Sequence, residues 1–185
     1  MITHIQPLDL DTAPAEARAA AAGHATHGRI TNMKQTLLHS VPAFHAYMEW
    51  YTQYDRLLPL FGERAVWLFC HAISSGTDCL ICSTFFRRLL LDAGIKPGEY
   101  VANEKEALLS AFGRQFLTAQ GEGKSGPVLW AKLNAAHPPA VLVDLVAFGG
   151  LMVATNLFNN MVGVQLDEYL EDYRKPQRHE PAPTI

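Results

Sequence analysis

Charged residues are scarce in this sequence, and its basic residues are not clustered anywhere along the chain. Only 18% of the 185 residues are charged, and the formal net charge is −3. Proteins that bind nucleic acid need a concentrated basic face to neutralise phosphates. The composition therefore argues against nucleic acid as a partner. The apolar fraction of 49% excludes disorder for most of the chain and predicts a full hydrophobic core.

The sequence has few cysteines, no recognisable secretory signal and no long uninterrupted apolar run. Three cysteines do not make a structural disulfide framework. The N-terminus has neither a basic start nor an apolar run behind it, so no signal peptide is expected. Asp144 interrupts the longest apolar stretch, Val141 to Thr155, which we judge too short and too polar to span a bilayer. These features predict a soluble, cytoplasmic protein.

Strand-like alternation of polar and apolar residues is also missing, whereas apolar residues recur at helical spacing almost everywhere. The predicted class is therefore all-α, a single-domain helical bundle of about seven or eight helices. We divide the chain into an N-terminal arm and helix over 1–27, a helical domain over 28–174 and a loose C-terminal tail over 175–185. The glycine-rich stretch 121–126 is predicted to be a mobile loop.

Several local signals predict where helices begin and end. Pro59 is expected to close the helix before it, because proline cannot continue a helical hydrogen-bond ladder. Residues 74–77 read as a break, with Thr77 or Asp78 capping the next helix. Asn103 and Glu106 form an Asn-x-x-Glu pair typical of a capping box.

The main candidate for chemistry is Cys79 and Cys82, three residues apart in the first turn of a predicted helix. This spacing places both thiols on one helix face, close enough to form a disulfide. Unpaired N–H groups at a helix N-terminus favour a thiolate and lower its pKa. A reversible dithiol needs this arrangement. Two other interpretations stay open: small buried core residues, or ligands of a zinc ion, which would need two more ligands.

Several other residues are candidates, and for His71 and three asparagines both a structural and a functional interpretation stay open. His71 is either a buried, hydrogen-bonded histidine or an acid–base group, for which its ordinary pKa is suitable. Cys70 reads as a buried core residue. The asparagines of the long C-terminal helix either bond neighbouring helices or border a cleft that faces the cysteines; these are Asn156, Asn159 and Asn160.

Several segments, in this order and spacing, resemble the alkylhydroperoxidase D / carboxymuconolactone decarboxylase family. They are Leu-Leu-Pro-Leu at 57–60, Asp-Cys-x-x-Cys at 78–82, Leu-Asp-Ala-Gly-Ile at 91–95 and Ala-Thr-Asn-Leu-Phe-Asn-Asn-Met-Val-Gly-Val at 154–164. The stretch from 30 to 42 is similar to the front half of the longer, peroxidase-related members. The resemblance covers roughly residues 28–170.

The resemblance implies packed helices that assemble as dimers, trimers or hexamers. It implies a thiol-dependent peroxidase or disulfide oxidoreductase that acts on a small peroxide, with an external thiol reductant restoring the dithiol and no bound cofactor or metal. In the redox members the second cysteine, here Cys82, attacks the peroxide, and the first, here Cys79, resolves it. Helix-dipole reasoning favours Cys79 as the thiolate, whereas the resemblance favours Cys82 as the nucleophile.

This chain departs from the family pattern at the residues that move protons. The redox motif places a Glu twelve residues before the first cysteine and a His four residues after the second, and here these positions hold Trp67 and Phe86. The His that often precedes the second cysteine is Ile81. We therefore expect weak activity. Glu63 and His71 are the nearest titratable residues upstream, and His71 is included among the candidate catalytic residues.

Two alternatives of other classes accompany this hypothesis. One is a lactone decarboxylase-type lyase, which would use Arg87 or Arg88 with His71 on a small carboxylated ring. The other is a non-catalytic oligomeric or ligand-binding scaffold that has lost the proton relay, meaning the Glu and His of the redox motif. The helix after Pro139 is apolar nearly all round, and this surplus of apolar surface predicts a homo-oligomer.

Overall fold

The protein is all-α, as predicted, in a computed structural model that describes residues 2–96, 99–118 and 126–174. Its described part contains eight α-helices and two short 3-10 helices and no strand. The α-helices are α1 (Ala15–Gly23), α2 (Asn32–Leu37), α3 (Val41–Phe61), α4 (Glu63–Gly76), α5 (Leu80–Asp92), α6 (Glu104–Gln115), α7 (Pro127–Ala136) and α8 (Pro139–Val162). The 3-10 helices cover Ala25–His27 and Glu168–Tyr173. The predicted tail and most of the glycine-rich loop lie outside the described residues.

Helix α4 is the central element of the bundle. It packs most extensively on α6 and α5, and it also contacts α3 and α8. Its buried side chains, among them Val66, Phe69 and Ile73, follow helical spacing, which is why the segment forms a helix with one face in the core. Helix α3 lies along α8. Buried side chains of α3, α4, α5, α6 and α8 together make up most of the largest hydrophobic cluster of the described residues.

The N-terminal part of the chain covers the outer side of α3. A second buried cluster joins Ala17 and Ala21 of α1 to Leu37, Leu38 and Phe44. The arm before α1 reaches the C-terminal end of α8, where the His4 amide donates to the Val162 carbonyl (2.9 Å).

Gly163 allows this arm to meet the end of α8. It ends the helix in the left-handed conformation, with φ of 70°. A Cβ at this position would also collide with the carbonyl oxygen of Ile2. Both the conformation and the close approach therefore require glycine.

Two predicted helix boundaries are wrong. Pro59 does not close α3, which continues to Phe61 and ends at Gly62, where φ is 81°. Proline in a last turn costs one backbone hydrogen bond, and burial of Leu57 and Phe61 holds this turn in place. The break predicted from Ser74 begins later, because α4 continues to Gly76 and buries Ser74 against α8.

Helix α8 has one buried and one exposed side. Its 24 residues, with a mean hydropathy of 1.9 over the most apolar window, are long and apolar enough to cross a membrane, so the stretch is longer than the sequence suggested. The core helix of a soluble protein passes the same test. Here 39% of that window is buried within the protein, and the buried side carries two asparagines, Asn156 and Asn159.

Candidate functional site

The Cys79–Cys82 pair lies where a tight turn after α4 leads into the first turn of α5. Asp78 adopts a left-handed conformation (φ 51°), which reverses the chain, and the Cys79 amide then donates to the Ser74 carbonyl (3.0 Å). Cys79 itself is the N-cap residue of α5, so the predicted cap at Thr77 or Asp78 is wrong. The Thr77 hydroxyl instead donates back to carbonyls at the end of α4, including Ile73 at 3.1 Å.

Both thiols are free and buried, and one side chain of α8 contacts them both. Cys79 is 1% exposed and Cys82 is 7% exposed. The side-chain amide of Asn159 lies 3.2 Å from the Cys82 sulfur and 3.8 Å from the Cys79 sulfur. Asn159 therefore faces the cysteines through a contact between helices, and it is not among the residues that line the cavity described below. Asn156 and Asn160 instead bond the Ser74–Thr77 segment.

The surroundings of the pair separate the two pKa values. A hydrogen bond from the Cys82 thiol lowers the pKa of Cys79, and the N-terminal amides of α5 and Asn159 lower it further, against the effect of burial. The same hydrogen bond and burial raise the pKa of Cys82 well above its usual value. The first charge on this pair therefore forms at Cys79, with the remaining proton on Cys82, as the helix-dipole argument predicts.

Cys82 also lies on the wall of a cavity of about 380 Å³. The cavity is enclosed by α3, α5, α8, the segment around α2 and the second 3-10 helix. Its lining is mostly aromatic and apolar near Cys82: Tyr47, Met48, Trp50, Tyr51, Ile81, Phe85, Phe86 and Met152. Cys79 does not line it. A small molecule in the cavity would therefore meet Cys82 first, with Cys79 behind it.

Positively charged groups also line the cavity, next to some of its aromatic rings: Lys34 lies 4.9 Å from the centre of the Tyr51 ring, and Arg88 lies 5.4 Å from the centre of the Phe85 ring. Lys34, Arg29 and Arg88 line it together with one carboxylate, Asp167. Lys34 is only 4% exposed, and burial lowers its pKa to about 8. Lys34 is not among the candidate residues predicted from the sequence. Its position three and four residues before Leu37 and Leu38, on the apolar face of α2, is the signal that could have identified it.

The positions of the missing relay hold side chains without a proton to exchange near neutral pH. The Trp67 indole donates to the Tyr54 hydroxyl (2.9 Å), and Phe86 is buried beside Trp50. Glu63 begins α4 and the cysteines follow its end, so about 20 Å of helix separates them. Glu63 therefore cannot take over the role of the relay.

The remaining candidates lie at other places in the fold. His71 is half-buried on α4, with its Nε2 at 3.5 Å from the Ser75 hydroxyl, and it is not part of the cavity lining. Arg87 donates to the Tyr173 carbonyl (3.1 Å), whereas Arg88 faces the cavity. Cys70 is fully buried, which raises the pKa of its thiol. Within the described residues, no group of three or more His, Cys, Asp or Glu side chains could hold a metal ion.

Comparison with known proteins identifies a similar fold but no family. No family model matches the chain, and no curated protein matches it. The resemblance to the alkylhydroperoxidase D / carboxymuconolactone decarboxylase family is therefore not confirmed.

The chain is similar to the crystal structure of the debrominase Bmp8 in its apo form. The TM-score is 0.70 at 15% sequence identity, and the match covers 94% of this chain and 97% of the other. The two proteins therefore share a helical fold over nearly their whole lengths.

Proposed function

We propose that this protein is a thiol-dependent oxidoreductase that reduces a small electrophilic substrate, a peroxide in the first instance, with the Cys79–Cys82 pair. One observation carries the proposal: Cys82 lines the cavity, and Cys79, which does not line it, lies in the same helical turn with both sulfurs within reach of the Asn159 amide. A substrate held in the cavity meets one thiol, and the other is in place to close a disulfide.

In the first step Cys82 attacks the nearer peroxide oxygen. Its S–H proton passes to the Cys79 thiolate as the O–O bond breaks, giving Cys82 sulfenic acid and an alkoxide that takes a proton from water. In the second step the Cys79 sulfur attacks the sulfenic acid, the disulfide forms and water leaves with the Cys79 proton. The peroxide gains two electrons and the dithiol loses two. An external thiol then reduces the disulfide.

Cys79 serves in this scheme as the proton acceptor in place of the missing Glu and His. Its pKa is lowered by the Cys82 thiol and by the start of α5, so it carries the charge that a relay would otherwise supply. General-base assistance is typically worth about 10²–10⁴-fold. A thiolate buried beside its partner provides only part of this, which agrees with the weak activity expected from the sequence.

Thiol counting after treatment with hydrogen peroxide tests the proposal. We expect two thiols to disappear in the wild type and to return with dithiothreitol. Cys82→Ser should lose no thiol beyond the background. Cys79→Ser lacks the proton acceptor as well as the resolving thiol, so it should react more slowly and accumulate a sulfenic acid that a dimedone probe traps. Cys70→Ala is the matched control, because Cys70 is buried outside the cavity, and it should react as the wild type does. If both thiols of the native wild type stay reduced, the scaffold alternative replaces this proposal.

Reductive dehalogenation is a second candidate, favoured by the likeness to a debrominase and by the aromatic lining of the cavity. Here the Cys82 proton would pass to the Cys79 thiolate as the Cys82 sulfur attacks a carbon-bound bromine. The products are a sulfenyl bromide at Cys82 and a carbanion, which takes the proton back from Cys79. Cys79 would then displace bromide and form the same disulfide. Bromide release from a brominated phenol or pyrrole, dependent on a thiol reductant and abolished by Cys82→Ser, would identify this reaction.

The lyase alternative receives less support from the arrangement of side chains. It would need a cation and an acid–base group together, and of its candidates Arg88 lines the cavity whereas His71 does not. The role of His71 remains a prediction, which His71→Ala tests: unchanged thiol loss in peroxide would remove it from the catalytic residues.

A further inference from the structure

Lys34 is a buried cation inside the cavity, and the protein gives its ammonium group few partners. Its Nζ donates to the Arg29 carbonyl (2.8 Å) and lies 4.9 Å from the centre of the Tyr51 ring. An ammonium group has three donors, so this carbonyl satisfies one of them. No ion pair to Lys34 occurs within the described part of the chain.

Two arginines extend this positive region toward the cavity mouth. The guanidinium groups of Arg29 and Arg88 lie 4.9 and 5.6 Å from the centre of the Tyr169 ring. Arg88 pairs with Asp92 at 3.4 Å, a contact on the exposed side, while its Nε is buried without a hydrogen-bond partner in the described residues. The Lys34 ammonium group and the Arg88 Nε therefore still have N–H groups that could donate to a bound ligand.

Asp167 neutralises this region only in part, because it attracts Lys34 without forming an ion pair with it. Its Oδ1 accepts from the Asn32 amide (2.9 Å), which holds the carboxylate at the start of α2. It acts on Lys34 through space, and burial raises its own pKa. Three cations thus face one carboxylate in the cavity, while the neighbouring His24 is kept neutral because burial lowers its pKa to about 4.

Burying an ammonium group without an ion pair is unfavourable, and burial of Lys34 lowers its pKa for this reason, although Asp167 acts in the opposite direction. A methionine or leucine at this position would continue the apolar face of α2 and avoid the penalty. Residues that destabilise a fold in this way are characteristic of binding sites, where a ligand supplies the missing partner.

We propose that the end of the cavity formed by Lys34, Arg29 and Arg88 binds an acidic group of the substrate. The substrate is then a small aromatic or apolar acid, whose anion sits at these cations while its body lies against Trp50, Phe85 and Cys82. The placement of a reducible atom at Cys82 rests on the proposed oxidoreductase function, whereas the anion site itself does not.

A matched pair of probes tests this site by isothermal titration calorimetry. 3-Phenylpropionate carries a carboxylate, and 3-phenylpropanol has nearly the same shape without the charge. We expect the wild type to bind the acid at least about tenfold more tightly than the alcohol, because hydrogen bonds to charged groups are worth more than neutral ones. Lys34→Met should remove most of this preference and leave the affinity for the alcohol nearly unchanged.

Two further variants separate the site from general effects of charge and folding. Arg88→Met, on the half-exposed face of α5, should reduce the preference for the acid without the change in α2 that Lys34→Met introduces. Lys132→Met removes an exposed lysine of α7 and should bind both probes as the wild type does. Equal affinity of the wild type for the two probes, no binding of the acid at millimolar concentration, or an unchanged preference in both cavity variants would overturn the proposal.

The result is independent of the peroxide experiment. If the acid binds through Lys34 but the wild-type thiols stay reduced in hydrogen peroxide, the anion site stands and the oxidoreductase proposal fails. If the thiols react but the protein does not distinguish the two probes, only the anion site fails.

Discussion

At the scale of single residues, Asn159 links the long C-terminal helix to the chemistry of the thiols. Its amide nitrogen faces both sulfurs, whereas its Oδ1 is buried with no hydrogen-bond partner in the described residues. An unpaired buried carbonyl is unfavourable. The amide donor offsets this cost by stabilising the negative charge of the dithiol, so we regard Asn159 as a positioning residue for the pair.

The first prediction concerns this donor. Asn159→Leu should raise the thiol pKa and slow the peroxide-driven loss of thiols at pH 7 by roughly three- to tenfold, because one hydrogen bond to a charged group is lost. The profile of rate against pH should shift to higher pH, a change that a purely structural role would not produce. Asn160→Ser is the control, since Asn160 bonds the Thr77 carbonyl and, among the described residues, it is Asn159 and not Asn160 that contacts the sulfurs. A slower rate with an unshifted profile would contradict the assignment.

The second prediction concerns the stability contributed by Lys34. The folded protein lowers the pKa of this lysine from 10.5 to about 8, so the unfolded chain binds the proton more tightly. The charged form is therefore penalised in the fold at pH 7, and this penalty disappears as pH rises from about 8 to 10.5. Lys34→Met should be more stable than the wild type at neutral pH, by at most about 3 kcal/mol.

Urea unfolding of both proteins between pH 7 and pH 10 measures this difference. It should shrink steadily as the pH rises through 8, because the wild-type lysine then loses its proton in the fold. Lys132→Met should track the wild type at every pH. A constant difference between Lys34→Met and the wild type would show that packing, and not charge burial, distinguishes them.

At the scale of helices, local signals were reliable where the sequence supplied both partners of a contact. The capping box of α6 is formed as predicted: the Asn103 side chain accepts from the Glu106 amide (2.9 Å), and the Glu106 carboxylate accepts from the Asn103 amide (3.0 Å). Glu106 is also paired with Arg64 of α4 at 3.0 Å. The start of α6 is thereby fixed against the central helix.

The third prediction tests this cap. Asn103→Ala should lower the free energy of unfolding by about 1 kcal/mol, the usual cost of losing an N-cap side chain. The cavity and thiols lie elsewhere, so peroxide reactivity should stay the same. Lys105→Ala, a change at an exposed residue of the same turn, serves as the control in the same denaturant titration. Equal stability of the two variants would mean that the cap contributes little here.

At the scale of the whole molecule, α8 leaves an apolar side uncovered within one chain. Val143, Leu157 and Met161 are 67%, 52% and 76% exposed, while the opposite side of the helix is buried in the core. Contiguous exposed apolar surface of this kind is a common feature of subunit interfaces. This exposed surface supports the prediction, made from the sequence, that the protein forms a homo-oligomer.

The fourth prediction follows from this side of α8. Sedimentation at micromolar concentration should show a species larger than 20.4 kDa, and the double variant Val143→Glu, Met161→Glu should shift it toward the monomer. Val101→Glu introduces the same charge at an exposed valine in the loop before α6 and should leave the assembly intact. A wild type that sediments as a single 20.4 kDa species would make the oligomer prediction wrong.

The sequence by itself determined the helical class, the cap of α6 and the position of Cys79 and Cys82 in one helical turn. These depend on residues three or four positions apart, and helical geometry alone relates such residues. It failed at Pro59 and at the start of α5, where burial of neighbouring side chains and the left-handed Asp78 outweighed the local signal.

Only the tertiary structure decided what surrounds the thiols. Asn159 is 77 and 80 residues from the cysteines it contacts, and Lys34 reaches their cavity from α2. The split between a thiolate at Cys79 and a protonated Cys82 at the cavity wall depends on burial and on these distant donors. Neither burial nor long-range contact can be read from spacing along the chain, because both arise only when separate helices pack together.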